Sequence, residues 1–75
     1  MVRIIMKSWR EGLQKVSLTK LQAELLDKPL TESKRNVDLL LEGKKVEIDI
    51  DDDRLANIFL RKANEIGVDC VKIIV

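Results

Sequence analysis

The sequence predicts a two-layer α+β domain of element order βααβαβ. Three observations lead there: three stretches alternate with a period of two, three others keep the helical period, and the connections between them dictate the strand directions. The first stretch, "VRIIMKS", sets Val2, Ile4 and Met6 on one face and Arg3, Ile5 and Lys7 on the other, the pattern of a half-buried strand. Two helical patterns follow. Leu18, Leu21 and Leu25 keep the i, i+3, i+7 spacing of an apolar stripe, and Val37, Leu40 and Leu41 form another beyond Pro29, the only proline. Pro29 separates the helices because its ring supplies no N–H and disfavours helical backbone at the residue before it. Thr31 is the expected N-cap of the second helix, with Glu32 in its first turn, although Lys34 stands where a capping box needs Glu or Gln. "KKVEIDID" then alternates cleanly, with Val46, Ile48 and Ile50 inward and Lys45, Glu47 and Asp49 outward. A third helix from about Asp52 to Ile66 is expected to bury Leu55, Ile58, Phe59, Ala63 and Ile66 and to end at a left-handed Gly67. "VDCVKIIV" closes the chain as a strand whose buried face is assigned to Val71, Ile73 and Val75, with Cys70 and Lys72 on the open face. There Arg3 and Lys7 are expected to pair across strands with Glu47 and Asp49.

Parity restricts the topology. Two antiparallel helices return the chain to the end that strand one left, so strand two runs opposite to strand one. One helix then separates strands two and three, which are therefore parallel to each other. With strand one in the middle, the sheet is fully antiparallel in the order 2-1-3, and a right-handed crossover puts all three helices on one face. Strands two and three are the edges, and through such edges copies of the chain can associate weakly.

Residues 1–75 make one domain, near the lower size limit for a self-sufficient core. An apolar fraction of 45% against 36% charged favours a folded domain over disorder. No apolar run reaches the roughly 20 residues needed to span a bilayer, and "MVRIIMKSWR" lacks the marks of a secretory signal. Cys70 is the only cysteine and has no internal disulfide partner, which agrees with a reducing, cytoplasmic location. The net charge of +1 argues against non-specific nucleic-acid binding, yet it is unevenly spread. Residues 1–35 hold eight Lys/Arg against four Asp/Glu, or +4, and residues 36–75 hold six against nine, or −3.

Little in the chain is catalytic in character. Without His or Tyr, with one cysteine and three scattered glycines, it offers no triad, no Cys/His zinc site and no phosphate loop, so no enzyme activity and no cofactor or metal is expected. The run "DIDDDR" places Asp49, Asp51 and Asp53 as in the start of a calcium loop, but Arg54 replaces the required glycine and Leu60 the bidentate glutamate. The run is better read as Asp51 capping the third helix, with Asp52 and Asp53 complementing its dipole. Trp9, beside Arg10, either anchors a partner or, as expected in a domain with one Trp and one Phe, plugs the open end of the core.

The segment "KVSLTKLQAELLDKPLTESKRNVDLLLEG" resembles the C-terminal domain of the bacterial ribosomal stalk protein, large-subunit protein seven/twelve. That family reads roughly N-K-V-x-V-I-K-x-V-R, then G-L-G-L-K-E-A-K-x-L-V. Lys15, Val16, Leu18, Lys20, Leu30, Glu32, Lys34 and Val37 coincide with it without a gap. "IIMKS" is similar to the family's opening strand and "NEIGVDCVKI" to its ending, so the likeness covers essentially the whole chain. It implies the βααβαβ fold and a non-catalytic role in which the helical hairpin recruits translation-factor GTPases. The contact residues it implies are Lys15, Val16, Lys20, Leu30 and Lys34. Helical geometry separately sets Val16 and Lys20 on a face other than that of Leu18, Leu21 and Leu25, where an exposed Val beside lysines suits an acidic partner with an apolar spot. Without a partner, the same residues make a solvated basic face. The chain departs from the family at Thr19, at Ala23, which stands for an arginine, and at Pro29, which stands for a glycine; the loop "WREGLQ" is about two residues longer. The resemblance is therefore to a free-standing paralogue, expected to do without the family's dimerisation domain and hinge.

The expected function is therefore a protein-interaction module. A protease adaptor of the same fold is a second reading, weakened because its pocket uses acidic groups and a histidine to hold an N-terminus. A small RNA-binding domain is a third, since β-α-α-β is also the core of a KH module. The junction "DKPL" carries no GXXG loop, which argues against it.

Overall fold

In the computed structural model, which describes residues 1–74, the chain runs β1 (Val2–Trp9), α1 (Lys15–Leu25), α2 (Leu30–Leu41), β2 (Val46–Ile50), α3 (Asp53–Glu65) and β3 (Val68–Ile74). The sheet has the order β2-β1-β3 and both pairings are antiparallel, as parity requires. β1 pairs with β2 from Val2↔Ile50 to Met6↔Val46 and with β3 from Val2↔Ile74 to Trp9↔Val68, with a bulge between Met6 and Ser8. The helices α2 and α3 lie on the sheet, and α1 packs against those two helices. Ile4 and Met6 from β1, Leu18 from α1, Leu40 from α2, Phe59 from α3 and Val68 from β3 meet in the core with no exposed surface.

Local chemistry accounts for the boundaries. The side chain of Asp52 caps α3 by accepting from Arg54 N–H at 2.8 Å, and Asp53 occupies the first turn. The cap is thus Asp52, one residue beyond Asp51, because the strand backbone continues through Ile50 before the chain turns. At the other end Gly67 takes φ +105°, and a Cβ there would lie 2.8 Å from Leu13 Cα. The loop after β1 presses on that bare position, held by Arg10 N–H to Gly67 C=O at 2.8 Å and Gln14 N–H to Ile66 C=O at 3.0 Å. A glycine is needed both for the backbone angle and for the approach.

Several expectations are corrected. On β3 the buried residues are Val68 and Cys70, whereas Val71 and Ile73 are about two-fifths exposed on the open face. The segment is apolar at both parities, so alternation cannot choose its face; the choice is made by the pairing Trp9↔Val68 and by Asp69, which accepts from Ser8 Oγ at 2.9 Å on the open side. Lys72 accordingly lies on the helix side, and Val75 falls outside the described residues. Trp9 does not plug the core: it is 43% exposed, because β2 pairs with β1 only as far as Met6 and leaves the end of β1 uncovered. The N-cap of α2 is Pro29, and Thr31 sits inside the helix. Along α1 only Leu18 of the three leucines is fully buried, and Gln22 joins it, while Leu21 and Leu25 are half-buried. Along α3 the fully buried residues are Ala56, Phe59 and Ala63, with Leu55, Leu60 and Ile66 packed around them, whereas Ile58 is only half-buried and lies outside that packing. The cross-strand pairing centres on Arg3, which meets Asp49 at 2.7 Å and Glu47 at 3.5 Å, whereas Lys7 falls at the bulge.

Candidate interaction surface on the helical hairpin

A buried polar contact sets the geometry of the hairpin. Gln22 has no exposed surface, and its Nε2 donates to Ser33 C=O at 3.1 Å and to Leu18 C=O at 3.3 Å. Its Oε1 accepts from Asn36 Nδ2 at 2.8 Å, and Ser33 Oγ donates to Pro29 C=O at 3.0 Å. Every buried side-chain nitrogen and oxygen among the described residues has a partner, so this network joins α1 to α2 without an unpaired group. The turn between the helices needs one left-handed residue, which is Asp27 at φ +54°, and Pro29 at φ −58° then leads into α2.

The structure places the five sequence-derived residues in three settings. Lys15 and Val16 on α1 and Lys34 on α2 line one groove of about 180 Å³ between the two helices, together with Thr19, Val37, Asp38 and Leu41. Val16 is 68% exposed at its rim. Leu30, the first residue of α2, is 54% exposed and shares with Lys34, Val37 and Leu41 the i, i+4, i+7, i+11 stripe that borders the groove. Lys20 lies elsewhere: it lines a groove of about 300 Å³ between α1 and α3, with Lys62 opposite and Glu24 and Glu65 nearby. The residues near the first groove that sequence reading missed are Thr19, Val37, Asp38 and Leu41. Val37 and Leu41 were visible only as core positions of a stripe, and their second role on the groove wall depends on how the helices cross.

Electrostatics distinguish the start of α1. Its first turn holds no acidic residue, its N-cap Gln14 makes no side-chain cap, and Lys15 stands at the positive end of the helix dipole. The Gln14 side chain instead accepts from Ser17 Oγ at 3.2 Å. A cation there opposes the dipole, a local misfit that a carboxylate from outside would relieve. Among the described residues Lys15, Lys20, Lys34 and Arg35 enter no ion pair, whereas Lys28 is held by Glu32 at 3.8 Å.

Elsewhere the chemistry is quiet. Burial pushes the Cys70 thiol up to about 11, so near neutral pH it is a protonated packing residue and no nucleophile. Asp27, Asp51 and Asp52 share a groove with Leu25, Leu26 and Leu55, yet no three His, Cys, Asp or Glu side chains converge as metal ligands among the described residues. Among the described residues no helix is long and apolar enough to cross a membrane. The hairpin face presents two exposed aliphatic side chains, Val16 and Leu30, beside Lys15 and Lys34, which enter no ion pair among the described residues. No protein-family model and no curated protein matches this chain.

Proposed function

We propose that this domain is a non-catalytic protein-interaction module that uses the α1–α2 face to hold an acidic protein surface carrying an apolar spot. The observation that carries this reading is the exposure of Val16 and Leu30 next to Lys15 and Lys34, which enter no ion pair among the described residues. Exposed aliphatic groups contribute contact area and unpaired lysines contribute steering and register, the two ingredients of a complementary patch. The likeness of Lys15, Val16, Lys20, Leu30 and Lys34 to the ribosomal stalk contact set further suggests a translation-factor GTPase as the partner class, in the cytoplasm. Ala23, half-buried where that family has an arginine, removes a bidentate donor and makes such docking weaker.

The test is capture from host extract on the immobilised chain, comparing wild type with Lys15→Glu/Lys34→Glu and with Arg61→Glu on α3. The hairpin reversal is expected to release the bound protein and the α3 reversal to retain it. An unchanged partner set after Lys15→Glu/Lys34→Glu sinks the hairpin-face reading. Titration with a purified translation-factor GTPase tests the narrower claim, and absence of binding removes that partner class.

A further inference from the structure

We propose that β3 is a self-pairing edge, through which two copies of the chain join about a two-fold axis at Val71 into one six-stranded antiparallel sheet. The order β2-β1-β3 leaves two strands with an unpaired side, and such a side is a template for another strand unless charge or cover blocks it. The two edges differ in this respect. β2 is five residues long, keeps Glu47 and Asp49 exposed on the open face although Arg3 pairs with both, and is preceded by exposed Lys44 and Lys45. β3 is seven residues long, and both of its charged side chains are engaged within the chain. Asp69 is held by Ser8 at 2.9 Å and by Arg10, while Lys72 donates to Asn57 at 2.6 Å and Asp53 at 3.2 Å, which draws its ammonium over α3. The large side chains exposed on the strand are Val71, Ile73 and, at 83%, Ile74, and Asp69 beside them keeps about half of its side chain in solvent while Ser8 and Arg10 hold it.

A second copy of β3 fits this edge in one register. Directly opposed residues of antiparallel strands share a face, so the two-fold axis must fall on a residue. An axis at Asp69 or at Lys72 sets like charges opposite each other, which is destabilising. An axis at Cys70 carries the pairing back into Gly67 and Ile66, at the end of α3. Val71 is the central residue of Val68–Ile74, and an axis there pairs the whole strand, with Asp69 opposite Ile73, Lys72 opposite Cys70 and no like charges facing. The rows of the sheet then join as well. Ile5 is opposite Glu47 on one side and Val71 on the other, so the open face of the dimer reads Glu47, Ile5, Val71, then Val71, Ile5, Glu47 of the second copy. Four β-branched side chains form a ribbon whose only charges stand at its two ends. Such pairing leaves the α1–α2 groove free, and it stands independently of the function proposed above.

Sedimentation equilibrium over a wide concentration range tests this, with circular dichroism of each variant to confirm folding. The wild type is expected to move reversibly from its 8.6 kDa monomer to a dimer as concentration rises. Val71→Lys, which opposes two ammonium groups on the axis, is expected to weaken association at least about tenfold. Glu47→Lys, on the other edge, is expected to leave association unchanged. Register is read by mild oxidation of Cys70→Ala/Val71→Cys, which should cross-link, against Cys70→Ala/Ile73→Cys, whose two thiols would stand about 13 Å apart along the strands and should not. A wild type that stays monomeric at millimolar concentration overturns the proposal. So does a Glu47→Lys variant that dissociates the dimer, or equal cross-linking at positions 71 and 73, which would indicate stacked open faces.

Discussion

Gln22 is the residue on which the hairpin depends most. Truncation to Ala would leave half-buried Asn36 Nδ2 without its partner, remove one donor from Ser33 C=O and open a cavity beside Leu18. The expected loss is about 2–4 kcal/mol, read as a lower urea midpoint at unchanged m-value. A loss under about 0.5 kcal/mol, the range of ordinary surface changes, would show that the network is not what holds the helices. Cys70 supplies a pH test. Its thiol ordinarily titrates at 9.0 and burial raises it to about 11, so the folded state keeps a proton that the unfolded chain releases. The resulting stability is fully present below pH 9.0 and is lost as pH rises toward about 11, a window to be followed by melts of wild type against Cys70→Ala. Alkylation at neutral pH should be slow in the folded chain and fast in urea. At residue scale the sequence was readable wherever one face alone was apolar, as along Val46, Ile48 and Ile50. It was not readable at Gln22, because a polar side chain inside a leucine stripe gives no sign of the acceptors waiting for it on another helix.

The loops and helix ends carry their own tests. Gly67→Ala meets both a positive φ and Leu13 Cα at 2.8 Å, whereas Gly43→Ala meets a positive φ of +87° in open space. The first is expected to cost about 2–3 kcal/mol and the second about 1 kcal/mol, compared as shifts in thermal midpoint. Equal shifts would mean that the loop after β1 moves away from Gly67 without penalty. At the start of α1, Lys15→Glu replaces a cation that opposes the helix dipole. It should stabilise the isolated domain by about 0.3–1 kcal/mol while it weakens partner binding. Stability and binding moving in opposite directions mark a residue kept for recognition; a variant that loses both would mark a structural one. Element types and order were legible from the two periods, 2 and 3.6, and the end of α3 from Gly67. The starts of α2 and α3 shifted by one or two residues. Caps depend on where the preceding backbone stops being extended, and in "DIDDDR" three neighbouring aspartates compete for one position.

At the scale of the molecule, charge and packing separate. The ion pairs of Arg3 with Asp49 and of Lys72 with Asp53 lie at the surface and contribute little to stability. Raising salt from low to physiological strength should therefore leave the thermal midpoint nearly constant while it slows association with an acidic partner several-fold, measured as the on-rate on immobilised chain. A salt-insensitive on-rate would remove the electrostatic part of the hairpin model. By itself the sequence determined the α+β class, the strand directions and the inward faces of β1 and β2, because alternation and connection parity are local, and the order 2-1-3 is the arrangement that makes every neighbouring pair antiparallel. Only the tertiary structure decided which face of β3 is buried, that Trp9 stays in solvent, and that Lys15, Val16 and Lys34 share a groove while Lys20 turns to another. Those outcomes rest on the pairing of Trp9 with Val68 past the bulge, on β2 ending opposite Met6 and on the crossing of two helices around Gln22. Each is a contact between segments far apart in the chain, and no local pattern encodes it.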